Sequence, residues 1–174
     1  MKIAAVLHDV RSVHNVGSIF RTADAAGVRK LWLCGITPTP FDRFGKVRPD
    51  FAKVALGAER SIAWEYAAET AAAIAALTRD GYRIFAVEQA PGSVPYDRVR
   101  PASRPPRVRG SAKVPREPKL ALLMGNEVEG VPPALLALAD RVIEIPMAGK
   151  KESLNVAVAF GVVAYGLQFG KMKS

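Results

Sequence analysis

Three short stretches carry the residue types that chemistry needs. The first is Asn15–Gly27, NVGSIFRTADAAG. Gly17 and Arg21 lie four apart and share a helix face, so the glycine is expected to leave room for a ligand beside the guanidinium. Asn15 stands where a cap should, at a helix entrance whose free N–H groups favour an anion. An arginine beside a bare helix N-terminus suits a phosphate or a developing oxyanion, and the same residues also fit an ordinary capped amphipathic helix. The second stretch is Leu122–Pro132, LLMGNEVEGVP. An apolar strand ends at Gly125 and a loop with Asn126, Glu127, Glu129 and Gly130 follows, the place where parallel sheets bind ligands. It has neither GK[ST] nor G-x-G-x-x-G, and its two acids make a poor phosphate cradle. It suits a neutral or cationic ligand, with Glu127 as a charge or a base; the alternative is a plain strand-to-helix turn. The third is Ser153–Ala159, SLNVAVA, where Ser153 is the expected N-cap of a long apolar helix and Asn155 adds a second polar side chain at its mouth.

Short apolar runs must position these loops. Ile3–Leu7, Leu31–Cys34, Ile84–Val87, Leu120–Met124 and Val142–Ile145 read as five buried strands. Helical patterns fall at Val16–Ala26, with Gly27 as C′ residue, at the alanine-rich Ala63–Arg79, at Pro133–Ala139 and after Ser153. Gly35–Asp50 reads as a loop. Strands alternating with helices predict an α/β fold with a parallel sheet covered on both faces. In the last helix Ala157, Gly161 and Ala164 recur at spacings of four and three, so another backbone is expected to approach closely there.

At 174 residues the chain is expected to form one domain, residues 1–174. Its 25 Lys and Arg against 16 Asp and Glu give a net charge of +9, which favours an anionic partner, nucleic acid before membrane. A Pro/Arg-rich insert at about 95–118 holds Arg98, Arg100, Arg104, Arg107, Arg109, Lys113 and Arg116, with no acid between Arg98 and Arg116. Its prolines exclude a helix or an inner strand, and its charge suits nonspecific phosphate contact by counterion release. The single cysteine, Cys34, excludes an internal disulfide and reads as a buried strand residue. No Cys/His cluster suggests a metal. Charge close to the N-terminus argues against a signal peptide, and the apolar run after Ser153 is too short to span a bilayer, so a cytoplasmic protein is expected.

Taken in order, N-x-G-x-x-x-R (Asn15, Gly17, Arg21), G-N-E-x-x-G (Gly125, Asn126, Glu127, Gly130) and S-L-N-V-x-V-A (Ser153 to Ala159) resemble the TrmH/SpoU branch of the SPOUT RNA methyltransferases. LGAE, Leu56–Glu59, also fits, and the resemblance runs from about Ile3 to Leu167. It implies a deep trefoil knot near the C-terminus and a homodimer. It implies S-adenosylmethionine held at Gly125, Ile145, Met147 and Leu154, with Ser153 nearby and Val87, Glu88 and Gln89 as another wall. The implied reaction is 2′-O-ribose methylation of tRNA or rRNA. Guanidinium resists deprotonation, so Arg21 is expected to bind the adjacent phosphate and stabilise the forming alkoxide rather than act as a literal base. Asn15 would orient it. Glu127 would fix the loop or take the proton, and Ser153 and Asn155 would position the ribose and the methionine end. The competing expectation is a noncatalytic RNA-binding protein on the same fold.

Overall fold

A computed structural model describes residues 1–99 and 117–170. Among the described residues seven strands form one sheet: β1 (Lys2–His8), β2 (Lys30–Cys34), β3 (Ala63–Ala67), β4 (Arg83–Val87), β5 (Val94–Pro95), β6 (Lys119–Met124) and β7 (Arg141–Glu144). Their order is β3-β2-β1-β6-β4-β7-β5, and every pairing is parallel. The helices are α1 (Val13–Ala26), α2 (Pro49–Ala55), α3 (Ala58–Ser61), α4 (Thr70–Arg79), α5 (Pro133–Leu136) and α6 (Val156–Phe169).

Alternation along the strands builds two cores. Ile3, Ala5 and Leu7 of β1 and Leu120, Leu122 and Met124 of β6 face one side, under Phe20 of α1, Phe51 of α2 and Phe160 of α6. Ala4, Val6, Ala121 and Leu123 face the other, under Ala73, Ile74 and Leu77 of α4. A side chain period of two sends neighbouring apolar residues to opposite faces, so near-continuous apolar strands are what a sheet covered on both sides requires. None of the described helices is long and apolar enough to cross a membrane.

Several local expectations are corrected. Ala63–Ala67 is an edge strand, not the first turn of a helix; it pairs with β2, and Glu65 meets Lys30 at 2.7 Å. Pairing to a ready-made edge outweighs weak alanine propensity, and the helix starts only at Thr70. The expected loop Gly35–Asp50 runs into two short helices that the apolar pattern did not mark. Both expected caps move. Ser12 caps α1, accepting from the Asn15 N–H at 3.2 Å, so Asn15 lies inside the first turn. Asn155, not Ser153, caps α6, accepting from the N–H groups of Ala157 (2.9 Å) and Val158 (3.4 Å). Gly17 leaves no ligand space either. A Cβ there would stand 3.1 Å from Val54 Cβ and 3.4 Å from the Phe51 carbonyl, so the glycine serves close packing of α1 on α2. The small-residue face of α6 is used within the chain: Gly161 lies against Thr22 of α1, and Ala164 is fully buried.

Candidate active site

Strand order reverses where β6 lies between β1 and β4, and the loops leaving the carboxyl ends of β4, β6 and β7 surround one cavity of 620 Å³. That size suits a small organic ligand and lies at the switch point where such sheets bind one. Val87, Glu88, Gln89, Gly125, Ile145, Met147, Ser153 and Leu154 all line it, as do Asn126, Glu127, Glu129, Glu144, Glu152 and Asn155.

The β6 loop is shaped by its glycines and by Glu88. Gly130 takes a left-handed φ of +66°, and a Cβ on it would collide with the Glu88 carboxylate. Gly125 sits against the Gly130 and Val131 backbone with no room for a side chain. Glu88 accepts from the N–H groups of Val131 (2.8 Å) and Gln89 (2.9 Å). Asn126 is buried and closes the turn by accepting from Val128 (2.9 Å) and Glu129 (2.7 Å). Glu127 is thereby held out over the β1–α1 loop.

There the three motifs meet. Glu127 accepts from the Asn15 side-chain amide at 2.8 Å and from the backbone N–H groups of Arg11 (3.1 Å) and Ser12 (3.2 Å). The Asn15 Oδ1 accepts from the Asn155 Nδ2 at 3.0 Å. Asn155 in turn caps α6, so a chain of bonds ties the β6 loop to the N-termini of both α1 and α6. The displaced caps make this connection: Ser12 serves α1, which frees the Asn15 side chain for Glu127 and Asn155. Burial pushes the Glu127 carboxyl up, but the hydrogen bonds from Asn15, Arg11 and Ser12 outweigh it and hold the group below the ordinary glutamate value. A carboxylate held this way organises the loop better than it takes protons.

Five carboxylates line the cavity, Glu88, Glu127, Glu129, Glu144 and Glu152, and among the described residues no Lys, Arg or His does. Sequence reasoning placed Glu88, Glu127 and Glu129 at the site but missed Glu144 and Glu152 as lining residues; the signal was acids flanking each candidate loop. Arg21 is elsewhere. It lines a separate groove with Asp24, Leu56, Gly57 and Ser61, where α1 meets the LGAE turn. Arg98 closes a short 3-10 turn, Tyr96–Arg98, and is exposed. Arg100, Arg104, Arg107 and Arg109 lie outside the described residues. Among the described residues, no group of three His, Cys, Asp or Glu side chains is placed to hold a metal.

The whole chain has relatives among known proteins. The 23S rRNA (guanosine-2'-O-)-methyltransferase of Ralstonia nicotianae is 31% identical over 92% of this chain and 55% of its own length. The AdoMet-bound rRNA methyltransferase of Sinorhizobium meliloti superposes with a TM-score of 0.76 at 29% identity, covering 95% of this chain and 55% of that one. A structure solved for insights into the 2-OH methylation of C/U34 on tRNA matches with a TM-score of 0.74 at 29% identity, over 97% of this chain and 95% of that one. The chain thus spans little more than half the length of the first two. Residues 2–165 match the profile of the SpoU rRNA Methylase family, and the chain belongs to that family.

Proposed function

We propose that this protein transfers a methyl group from S-adenosylmethionine to a ribose 2′-hydroxyl of tRNA or rRNA. The observation that carries the reading is the cavity wall: five carboxylates at the end of a parallel sheet, with no cation among the described lining residues, in a chain of net charge +9. Such a wall repels the phosphates of NAD or ATP and suits a small ligand carrying a sulfonium and an ammonium. Relatives named for 2′-O-methylation and an AdoMet-bound neighbour support the same choice.

S-adenosylmethionine, when bound, supplies an electrophilic methyl group on sulfur. The backbone of Gly125, Ile145, Met147 and Leu154 would hold its adenosine end, with Val87, Glu88 and Gln89 opposite. Ser153 and Asn155 would place the methionine end and the ribose. Glu127 and Asn15 keep these loops in register, which matters because a misplacement near 1 Å costs about 100-fold in rate. Arg21 would bind the phosphate next to the target ribose and stabilise the forming alkoxide. Within one chain it lies outside the cavity, so a homodimer that offers a second chain's Arg21 to the cavity completes this account. Support for a dimer comes from α6, whose Val158, Tyr165 and Phe169 form an exposed apolar stripe at helical spacing. The deep trefoil knot belongs to the same reading, with Gly125 to Asn155 as its threaded stretch, and so does a cytoplasmic location.

The test is methyl transfer from labelled S-adenosylmethionine into tRNA and rRNA fractions, run beside Arg21→Ala. The match along nearly the whole of the C/U34 neighbour makes tRNA the first fraction to try. Label in one fraction is expected, with loss of roughly 10²–10³-fold in turnover in the variant, the scale of one oxyanion donor. Cofactor should raise the melting temperature equally in both proteins. A full-speed Arg21→Ala enzyme would overturn the role of Arg21. Absence of both label and cofactor binding would favour a noncatalytic RNA-binding protein.

A further inference from the structure

The segment between β2 and α2 carries a feature that the methyl-transfer site does not use. Residues Phe41–Arg48 form a tight reverse turn closed by a bridge between Phe41 and Val47. Asp42 holds it, accepting from the N–H groups of Phe44 (2.8 Å) and Lys46 (2.9 Å), and Gly45 supplies the left-handed φ of +75°. Its base is anchored: Phe41 stacks on Trp64 at 6.0 Å and 18°. At its tip Phe44 is 72% exposed, with the Arg43 guanidinium 4.7 Å from its ring centroid. A lone exposed phenylalanine is ordinary on a protein surface; what marks Phe44 is the guanidinium against its ring and the hydrogen-bonded turn beneath it.

We infer that Phe44 is a stacking platform for an unpaired RNA base, with Arg43 and Lys46 taking the neighbouring phosphates. An exposed ring flanked by cations is the chemistry that single strands select, because every base has a face to stack and every linkage has a charge. Charge also chooses the occupant. Asp42 is spent on the turn's own N–H groups, and Asp50 pairs with Arg48 at 3.4 Å. Among the described residues Arg43, Lys46 and Lys53 form no ion pair, so the turn presents net positive charge. The positive charge of the turn attracts a phosphate backbone, whereas the carboxylates of the cavity do not. The segment leading into the turn is tied to the β1–α1 loop. Asp9 and Val10 of the β1–α1 loop bond Ile36 and Thr37 at the end of β2, and the next two residues, Arg11 and Ser12, donate to Glu127.

This inference rests on RNA as the partner but not on methyl transfer, so it is tested by binding alone. The full chain, without cofactor, is titrated into a short fluorescein-labelled single-stranded RNA and into the same strand as a duplex. Phe44→Ala should weaken single-strand binding by about 5- to 150-fold, the range of one lost base stack, and leave duplex binding nearly unchanged. Phe44→Trp should restore affinity, and its added tryptophan emission should be quenched by the single strand. Equal affinity of wild type and Phe44→Ala overturns the inference, as does an equal loss on single strand and duplex. A change of oligomeric state in Phe44→Ala with RNA affinity intact also overturns it, in favour of a protein contact. If methyl transfer is absent but binding depends on Phe44, only the proposed reaction fails; methyl transfer with Phe44-independent binding sinks only the platform.

Discussion

Replacing Glu127 by glutamine tests the hydrogen-bonded hub directly, because the change keeps volume and removes only charge and one acceptor. Glu127 accepts three bonds, from Asn15 at 2.8 Å, Arg11 at 3.1 Å and Ser12 at 3.2 Å. In glutamine one oxygen still accepts, but the amide NH2 must face an N–H donor. Hydrogen bonds to charged groups contribute about 1.5–3 kcal/mol each and neutral ones about half that. The site is open to water, and screening trims the difference, so Glu127→Gln should cost about 1–2 kcal/mol at pH 7. For a chain of this size that lowers Tm by roughly 2–8 °C. The pH dependence has a fixed sign. The folded-state carboxyl sits below its ordinary value, so in the window between the two the unfolded chain binds the extra proton and stability rises with pH. The contribution is fully present above the unfolded value of about 4.3 and fades as pH falls through the lower folded value. Urea unfolding of both proteins from pH 7 to pH 3 should show a gap that closes on the acid side. A gap that is constant with pH, or missing at pH 7, would refute the claim that a charged Glu127 holds the three motifs together.

Two further substitutions and one reaction follow from packing. Gly17→Ala should be close to neutral, because the helix propensity gained, about 1 kcal/mol, offsets the tight approach to Val54 at 3.1 Å. Gly17→Val should destabilise by roughly 1–3 kcal/mol in the same urea titration, since α2 cannot yield its backbone carbonyl and Val54 together. Burial pushes the Cys34 thiol up to about 12, and the nearby Asp9 charge adds to this against a lowering contact from Thr70. Iodoacetamide at pH 8 should therefore leave the native protein unlabelled and label it fully in urea; native labelling would mean that β2 opens far more readily than a core strand should.

Apolar runs gave away the inner strands, because a strand buried on both faces has no polar alternation to hide it. β1, β2, β4, β6 and β7 lie within one or two residues of where Ile3–Leu7, Leu31–Cys34, Ile84–Val87, Leu120–Met124 and Val142–Ile145 placed them. The edges were not legible. Ala63–Ala67, AWEYA, runs directly into the alanine-rich stretch that forms α4 and reads as its first turn; its pairing with β2 makes it a strand. Val94–Pro95 is a two-residue pairing with β7, too short for any periodicity. Helix starts were misjudged for one reason in both places: each has two candidate caps, Ser12 and Asn15 or Ser153 and Asn155, and local sequence does not say which side chain is needed elsewhere.

That last ambiguity is where the site hides. Asn15 and Glu127 are 112 residues apart, and Asn15 and Asn155 are 140 apart. No spacing rule reaches across such distances; only the order of the three motifs suggested that they belong together. The fold then decides which residue caps and which bridges. If Asn15 capped α1, its Oδ1 would be spent on the helix's own N–H groups, and Asn155 would lose its acceptor. Because Ser12 caps instead, Asn15 presents a donor to Glu127 and an acceptor to Asn155 at once, something a carboxylate or a hydroxyl in its place could not match in reach and polarity. Arg21 shows the reverse. Its helix position was legible, yet the separate groove it lines was not, because that depends on α2 filling the space beside Gly17. Among the described residues an acidic cavity and an arginine groove therefore stand apart, and the reaction proposed above joins them through a second copy of the chain.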